Sequence, residues 1–539
     1  MNASRPILQT TPWTPIILAA ALAMSLQLIA TARYGAGLSP DSAVYLQSAR
    51  QLASGKGFTQ LFADPGHPNK VVPVTWFPPA YPALLALGMK LGIDPIQVAR
   101  YSAAVLLGLY VALATTVVSR ATRSMKITAI AALTICITTD QLEAFSFALS
   151  EPLFNVALLL ALIALARFIE RPRTILLFAA AICVSIAGMT RYIGLILAPM
   201  GALILILSQP RMPPARRAVQ AGLFFLVAIG ANIAWFFRNA GAGGTSTGRT
   251  IEWHPVNWSH GQALVAVMGR WIAPEFLAPH VWWLIALIVA IIAVFTPAAV
   301  TEPEAVVPAR QPSSIALVFG AFAPTYLLGL ALSISWIDAA TPIDYRLLSP
   351  LVVPLVVLGA IAVHRSRGRG RFAMVVPIIA IAMLATNLLR TPSWVWSANR
   401  IGGRLAYASI RWEKSPVMRI LRDVPSDLPI WTNVPDATSL HARRVDTLIP
   451  SGYSRDGKQP REDYPAGIES LREWILNNGG AVVLFEGPLR RSMPKAADLT
   501  RDLHELVRIE YLPDAIIWAH PSAVKYFPAA RNPRTIPGR

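Results

Sequence analysis

Asp41 is the first ionisable side chain in this sequence that stands where chemistry would be expected. It lies in the segment GLSPDSAVYLQSARQLASGKGF, residues 37–58, directly after a long apolar run. A carboxylate within hydrogen-bond reach of a hydroxyl can take its proton as a general base. Asp41 also follows Ser39 and Pro40, a pattern typical of a helix start, so an acid that complements the helix dipole is the simpler local interpretation.

Two arginines occupy similar boundary positions. Arg191, in GMTRYIG, joins two apolar runs almost without a loop, and Arg346, in DYRLL after Tyr345, begins a later apolar run. Cations at such boundaries can stabilise a phosphate that gains charge, or they can simply extend to the water interface. Both interpretations stay open. Lys70 and Arg238 are weaker candidates, because such side chains are more often only solvated.

Three acids precede or begin an apolar run. Glu151, in LSEPLF, is either a first-turn acid ahead of Pro152 or a functional group. Its functional role would be to pair with Arg191 or to bind a polar ligand. Asp140 and Glu143, in the short segment before it, are candidates for the same work.

Metal and thiol chemistry receive little support from the spacing. The nearest histidine pair, His254 and His260, lacks the spacing of ligands on a helix. Cys136 and Cys183 fall inside apolar runs and show no metal or disulfide spacing.

The composition predicts a mainly α-helical membrane protein that spans the bilayer many times. Of 539 residues, 54% are apolar and only 14% are charged. A span needs about 20 apolar residues. About eleven stretches meet or approach this length, and they begin near residues 13, 97, 127, 149, 174, 192, 218, 279, 313, 346 and 372.

The basic residues predict the orientation of these spans. Net charge is +19, but the Lys and Arg residues lie largely in short loops, which indicates membrane orientation rather than nucleic-acid binding. With a cytoplasmic N-terminus, the dense basic clusters near residues 120–126, 167–173, 211–217 and 365–371 all lie inside. The segment 77–93 is then a juxtamembrane helix on the outer face. The outer segments are 34–96, 238–278 and everything after about 390.

Two domains follow from this pattern. Residues 1–389 form the membrane domain, in which 34–96 is the first periplasmic loop and carries a surface helix after Asp41. Residues 390–539 have ordinary soluble composition, with a helical pattern near 400–422 and then short β-rich runs. This pattern predicts a small periplasmic α/β domain with a disordered extreme C-terminus.

The ordered set of these segments resembles the GT-C superfamily of membrane glycosyltransferases. Asp41 with Tyr45, then SGKGF, TWFPPAYPALLAL, LSEPLF, TRYIGLILAP and DYRLLSPLVVPLVVLGA, occur in one order on one topology. The sequence is similar in particular to bacterial enzymes related to protein O-mannosyltransferases and to the aminoarabinose transferase that modifies lipid A.

The resemblance implies an enzyme of the cell inner membrane that takes a sugar from a polyprenyl-phosphate carrier. It would move the sugar, with inversion, to a hydroxyl of a lipid, glycan or protein at the periplasmic face. Asp41 matches the acid after the first span and would be the general base. Tyr45, Lys70, Asp140, Glu143, Glu151, Arg191, Tyr345 and Arg346 would bind substrate.

The chain also departs from the family pattern. Relatives often carry a donor-binding Lys before the Pro-Pro pair, where this chain has Phe77. Asp41 is followed by Ser42 rather than by the second acid that would help to hold a divalent metal, so metal dependence stays open. No other cofactor is implied.

Three other functions compete with this one. A secondary transporter would be expected to show repeat symmetry and polar residues deep in the bilayer, whereas here the unusual polar residues lie at the outer edges. A glycan ligase or polymerase would share the carrier-lipid donor. A scaffold built on the C-terminal domain is the remaining alternative.

Overall fold

The computed structural model divides into two compact units. It describes residues 13–64, 67–209, 212–243, 245–249, 251–283, 285–286, 313–337, 341–366, 374–453, 459–487 and 492–528. The first unit contains residues 1–36 and 75–400, and the second contains residues 37–74 and 401–539. The segment around Asp41 therefore belongs to the same compact unit as the C-terminal residues. The predicted boundary at residue 389 was placed by hydropathy, which does not report which segments pack together.

Seven described helices of the first unit are long and apolar enough to cross a membrane, by length and composition. They are α1 (Trp13–Ala30), α4 (Pro95–Thr122), α7 (Glu151–Glu170), α10 (Pro214–Gly243), α12 (Ser314–Trp336), α13 (Tyr345–Ser366) and α14 (Val375–Ile401).

Shorter apolar helices account for all but one of the remaining predicted spans. They are α5 (Met125–Ile137), α8 (Thr174–Thr190), and a 3-10 turn at Tyr192–Ile196 that continues into α9 (Leu197–Leu207). Ten of the eleven predicted spans thus correspond to described helices. The span predicted near 279 falls mostly on 287–312, outside the described residues.

Three further helices of this unit are short. The juxtamembrane segment 77–93 contains α3 (Ala80–Lys90), α6 (Thr139–Ala144) follows α5, and α11 (Trp258–Arg270) precedes the undescribed stretch. The predicted multi-span helical fold is confirmed at this level. The side of the membrane on which each end lies stays a prediction.

Small residues allow the apolar helices to approach closely. A Cβ added to Gly188 of α8 would lie 2.8 Å from Asn232 Oδ1 of α10, and one added to Gly201 of α9 would overlap the Phe224 ring of α10. Helices in lipid associate through such close packing, because there is no hydrophobic drive between two surfaces that are both already in lipid.

The second unit begins with the segment around Asp41. α2 (Pro40–Ala53) starts as the sequence predicted, with Ser39 as N-cap, a Ser39–Ser42 capping box and Pro40 in the first turn. It leads into a hairpin of β1 (Thr59–Asp64) and β2 (His67–Pro73). Leu38 N donates to Leu405 O at 3.1 Å, and Tyr407 N donates to Leu38 O at 2.9 Å, which ties this segment to the C-terminal half of the unit.

The C-terminal half is built on a five-stranded mixed sheet with order β4-β3-β5-β7-β6. β3 is parallel to β4 and β5, while β7 is antiparallel to β5 and β6. The strands are β3 (Ile430–Thr432), β4 (Thr447–Leu448), β5 (Ala481–Phe485), β6 (Val507–Tyr511) and β7 (Ala515–Ala519).

Helices cover both faces of this sheet. The helices are α15 (Ile410–Glu413), α16 (Pro416–Asp423), α17 (Pro435–His441), α18 (Tyr464–Asn478) and α19 (Ala496–Asp502). Val483 packs in one apolar core and Val482 in the other. A strand covered on both sides carries a continuous apolar run, as AVVLF does. The predicted small α/β domain is therefore present as a mixed sheet with covering helices.

The helix predicted near 400–422 is wrong as a single element. α14 ends at Ile401, and Gly402 follows with φ 62°, a left-handed conformation that favours glycine. A Cβ there would lie 2.6 Å from Ala408 O. The helix resumes only at α15 and α16, after the chain has turned. The extreme C-terminus, residues 529–539, lies outside the described residues.

Candidate active site

The candidate site of the first unit is arranged around α6. All six of its residues, Thr139–Ala144, are buried. α5 stops at Ile137 because Thr138 adopts an extended conformation. Thr139 N and Oγ1 then donate to Asn387 Oδ1 of α14, at 2.9 and 3.2 Å. The short helix is thereby fixed in the helical core, although the sequence suggested only a loop there.

Asp140 of α6 contacts two arginines that the sequence analysis did not select. Its Oδ1 accepts from Arg390 Nη2 at 3.1 Å and lies 3.5 Å from Arg270 Nη2, and its side chain is 2% exposed. Arg390 Nη1 also donates to the carbonyl of Arg270 at 2.6 Å. One acid with two arginines leaves this trio with an excess positive charge.

Two buried donors beside the trio have no hydrogen-bond acceptor among the described residues. They are Arg270 Nε and the indole Nε1 of Trp271. A buried donor without a partner costs on the order of 1–3 kcal/mol. Together with the excess charge, they give this position the chemistry of an anion site.

An apolar cavity of about 410 Å³ lies in the same unit as the trio. It lies between α5, α11, α13 and α14, and Trp271 and Ile272 form the part of its wall that follows Arg270 in the chain. The surface of the cavity is almost entirely apolar. Its lining residues include Ile130, Thr134, Met268, Val356 and Ile381. The α5 residues along it run from Ile127 to Thr134, which is about 10 Å at 1.5 Å per residue.

Glu151 forms a second buried cluster with the two arginines that the sequence did select. Its Oε1 lies 2.7 Å from Arg191 Nη1 and 3.2 Å from Arg346 Nε, and its side chain is 2% exposed. Arg346 Nε is 3.8 Å from Asp344 Oδ2. The pairing of Glu151 with Arg191 is therefore present as predicted. Two acids and two arginines balance, so this cluster has no excess charge.

Asp344 also begins α13. Its Oδ1 accepts from the backbone N–H groups of Arg346 and Leu347, each at 3.0 Å. This is the hydrogen bonding of an N-cap, and it fixes the backbone at the start of α13, where Arg346 lies. Burial raises the pKa of Asp344 above its ordinary value, while the Arg346 guanidinium opposes that shift.

Buried amides connect α6 to the Glu151 cluster. Gln141 Nε2 donates to the Ser349 carbonyl at 2.5 Å, and Asn155 Nδ2 donates to Ser349 Oγ at 3.1 Å. Glu143 of α6 is buried and is an electrostatic neighbour of Tyr345. The six predicted substrate-binding residues of this unit thus lie on α6, on α13 or in the Glu151 cluster.

The remaining predicted residues, Asp41, Tyr45 and Lys70, belong to the second unit. Asp41 is partly exposed in the first turn of α2, whereas Tyr45, one turn later, is only 3% exposed. Lys70 is exposed in β2, opposite Phe62 of β1. Their roles in substrate binding and catalysis stay predictions.

Metal ligation was left open by the sequence. Across the part of the chain that the structure describes, no group of three or more His, Cys, Asp or Glu side chains is arranged to hold a metal ion. The described side chains therefore do not provide a metal site of their own.

Arg270 and Arg390 were missed for identifiable reasons. Arg390 ends the apolar run in LATNLLRTPSW, and Arg270 precedes a Trp in VMGRWIAP. Each is a cation at the end of an apolar stretch, the same signal that selected Arg191 and Arg346. Only the folded structure shows that these two side chains, from α11 and α14, converge on one acid.

Nearly the whole chain is similar in fold to ArnT from Cupriavidus metallidurans. The apo crystal structure of that protein matches with a TM-score of 0.59 and 12% sequence identity, over 97% of this chain and 99% of that chain. The crystal structure of the same protein bound to undecaprenyl phosphate matches with a TM-score of 0.57 and 12% identity, over 97% and 100%. The predicted resemblance to GT-C membrane glycosyltransferases is confirmed as a likeness of fold.

Sequence comparison adds nothing to this structural match. No protein-family sequence profile matches the chain, and no curated protein matches it by sequence.

Proposed function

We propose that this protein transfers a sugar from a polyprenyl-phosphate carrier to a hydroxyl group at the periplasmic face of the membrane. The fold supports this proposal, because the ArnT structure that shares it binds undecaprenyl phosphate. The acceptor is a lipid, a glycan or a protein, and the transfer proceeds with inversion.

The observation that carries the proposal is the apolar cavity whose wall includes Trp271, the residue after Arg270 of the Asp140 trio. A polyprenyl phosphate has a long apolar chain and one anionic headgroup. The cavity offers the chain about 410 Å³ of almost entirely apolar space, within the range typical of ligand sites. Beside Trp271 of its wall, Arg270 with its neighbour Arg390 supplies the excess positive charge, and Arg270 Nε and Trp271 Nε1 supply unused donors.

The same trio suits the reaction as well as binding. When the sugar leaves the carrier, the phosphate oxygen gains negative charge, and fixed donors in a water-poor site stabilise that charge. Asp140 keeps the two arginines in place without cancelling their charge. Arg270 and Arg390 would also take over the donor contact that the family pattern assigns to the Lys replaced here by Phe77.

Asp41 is proposed as the general base. The acceptor hydroxyl is a weak nucleophile, and a carboxylate that takes its proton accelerates attack typically by about 100-fold to 10,000-fold. Asp41 sits in the first turn of α2, whose capping box and Pro40 fix the start of the helix. A base needs such a fixed backbone, because hydrogen-bond reach is short.

The Glu151 cluster is proposed to hold the sugar rather than the phosphate. Its charges balance, so it offers little net attraction to an anion. Glu151, Arg191 and Arg346 together present an acceptor and donors of the kind that pair with hydroxyl groups. Tyr345 and Glu143 lie on the neighbouring elements.

The test is the release of free polyprenyl phosphate from a lipid-linked monosaccharide by the full chain in proteoliposomes. Asp41→Asn should abolish release while the protein stays folded. The matched control is Asp94→Asn, because Asp94 caps α4 by accepting from Ile96 N at 2.9 Å, and asparagine caps a helix equally well.

Two outcomes would contradict the proposal in different ways. Full turnover in Asp41→Asn would remove Asp41 from the mechanism and leave the transferase itself standing. Accumulation of substrate inside sealed vesicles, without release of polyprenyl phosphate, would instead favour the transporter.

A further inference from the structure

The start of α2, which carries Asp41, is held by a short turn in the C-terminal half of the same unit. This turn consists of residues 405–407. Leu38, which precedes the cap of α2, donates from its N–H to the Leu405 carbonyl at 3.1 Å. Its own carbonyl accepts from Tyr407 N at 2.9 Å. The turn therefore fixes the backbone directly ahead of the helix.

The turn adopts a backbone conformation that its sequence does not favour. Ala406, its central residue, has φ 49°, in the left-handed region, although it is not a glycine. It forms an isolated parallel bridge with Leu38. A conformation of this kind costs free energy and persists only where the surrounding contacts impose it. Contacts beyond the two hydrogen bonds to Leu38 are therefore expected at this turn.

His441 supplies such a contact. It is the last residue of α17, and its Nε2 lies 2.7 Å from the carbonyl oxygen of Tyr407. A carbonyl oxygen only accepts, so Nε2 carries the proton in this contact. Burial lowers the pKa of His441, which favours the neutral ring with this one N–H. Tyr407 is thus bonded on both sides, to Leu38 through its N–H and to His441 through its carbonyl.

Other contacts of α17 keep His441 in place. Arg422 Nε of α16 donates to the His441 carbonyl at 2.7 Å. Ala437, one turn earlier on α17, is buried in the apolar core on one face of the sheet. α2 also packs against α17. A continuous path of packing and hydrogen bonds therefore runs from the sheet through His441 and Tyr407 to the first turn of α2.

We propose that His441 is a positioning residue for Asp41. The inference rests on the proposed role of Asp41 as general base and adds what holds that base in place. His441 acts through the backbone, because its N–H holds Tyr407 and Tyr407 holds Leu38. A base works only within hydrogen-bond reach, and a displacement of about 1 Å can cost about 100-fold in rate.

The test compares two amides that differ by one methylene group. His441→Gln places its amide nitrogen as many bonds from the backbone as Nε2, whereas the shorter amide of His441→Asn does not reach the Tyr407 carbonyl. The assay is release of polyprenyl phosphate by the full chain in proteoliposomes. His441→Asn should lower kcat about tenfold, the effect of one lost hydrogen bond. His441→Gln should keep most of the rate.

The KM for the lipid-linked sugar should not change in His441→Asn. The carrier is proposed to bind in the first unit, and a base acts in the transition state, so the loss falls on kcat. Val482→Ala is the matched control for stability, because Val482 lies in the core on the other face of the sheet. It should lower the unfolding temperature and leave kcat unchanged.

A second measurement follows the turn itself and needs no activity. Hydrogen exchange of the backbone amides in residues 37–46 and 402–408 should become about tenfold faster in His441→Asn, because one hydrogen bond that closes the turn is lost. It should stay near that of the unaltered chain in His441→Gln.

Three results would overturn the inference. An unchanged kcat in His441→Asn, or an equal fall in His441→Asn and His441→Gln, would mean that the Tyr407 contact does not position Asp41. A fall of the same size in Val482→Ala would assign the loss to general destabilisation. Unchanged exchange in residues 37–46 of His441→Asn would show that His441 does not fix the start of α2. Absence of polyprenyl phosphate release by the unaltered chain would instead refute the transferase, whatever the exchange shows.

Discussion

Arg390→Gln is the change that tests the anion site most directly. In the protein, Arg390 contributes one of the two positive charges that Asp140 only half balances. The variant leaves Arg270 and Asp140 as a neutral pair. A hydrogen bond to a charged group is worth about 1.5–3 kcal/mol, and about 1.4 kcal/mol is a tenfold change in affinity. The dissociation constant for polyprenyl phosphate should therefore rise about 10-fold to 100-fold.

The assay is equilibrium binding of fluorescent polyprenyl phosphate to the detergent-solubilised full chain. The uncharged polyprenol is the matched ligand, because it occupies the same apolar cavity without the phosphate. Its affinity should not change in Arg390→Gln. Asp140→Asn should act in the opposite direction on the phosphate ligand, because it raises the charge of the trio, provided thermal unfolding shows that the variant is folded.

Two results would refute the reasoning. Equal weakening of polyprenol and polyprenyl phosphate would mean that Arg390→Gln damages the cavity rather than the anion site. Stronger weakening by Arg346→Gln than by Arg390→Gln would place the phosphate at the Glu151 cluster, as the sequence first suggested for Arg191 and Arg346.

Three further predictions concern stability. Glu151→Gln should destabilise the first unit by about 3–5 kcal/mol, because two arginines lose their buried acid, and the unfolding temperature measures this. Burial lowers the pKa of His441, so the folded state takes up this proton less readily than the unfolded chain does. Stability should therefore fall as pH drops below about 6.5, where the unfolded chain takes up the proton. Hydrogen exchange in the C-terminal sheet measures this loss of stability, which should be smaller in His441→Gln. Gly188→Leu should separate α8 from α10, because the Asn232 side chain occupies the space that the new side chain would need. The unfolding temperature should fall, and an unchanged unfolding temperature would contradict this packing.

Elements whose signal is local could be predicted from the sequence. Apolar runs that meet or approach the length of a bilayer crossing predicted ten described helices, because hydropathy depends on composition over one segment. The start of α2 at Ser39 and Pro40 was predictable for the same reason, since a cap is formed by neighbouring residues. The single helix predicted at 400–422 was wrong because the left-handed conformation of Gly402 ends the helix within a continuous helical pattern.

The sequence selected ionisable residues at the ends of apolar runs, but only the tertiary structure shows which residues they contact. Glu151 was selected because it is an acid at the start of an apolar run. Arg191 was selected because it joins two apolar runs almost without a loop. Nothing local indicates that Asp140 meets Arg390, 250 positions later in the chain. Such contacts arise when helices from distant segments pack around α6, and burial then forces each charge to find a partner.

The sequence by itself determined that this chain spans a membrane and where ionisable groups meet its apolar runs. Only the tertiary structure decided that Asp41 belongs to the unit with the C-terminal sheet, and that one acid cluster is balanced while the other carries excess positive charge. The physical reason is that hydropathy and capping act over a few neighbouring residues, whereas net charge at a site and the shape of a cavity are set by residues that only folding makes neighbours.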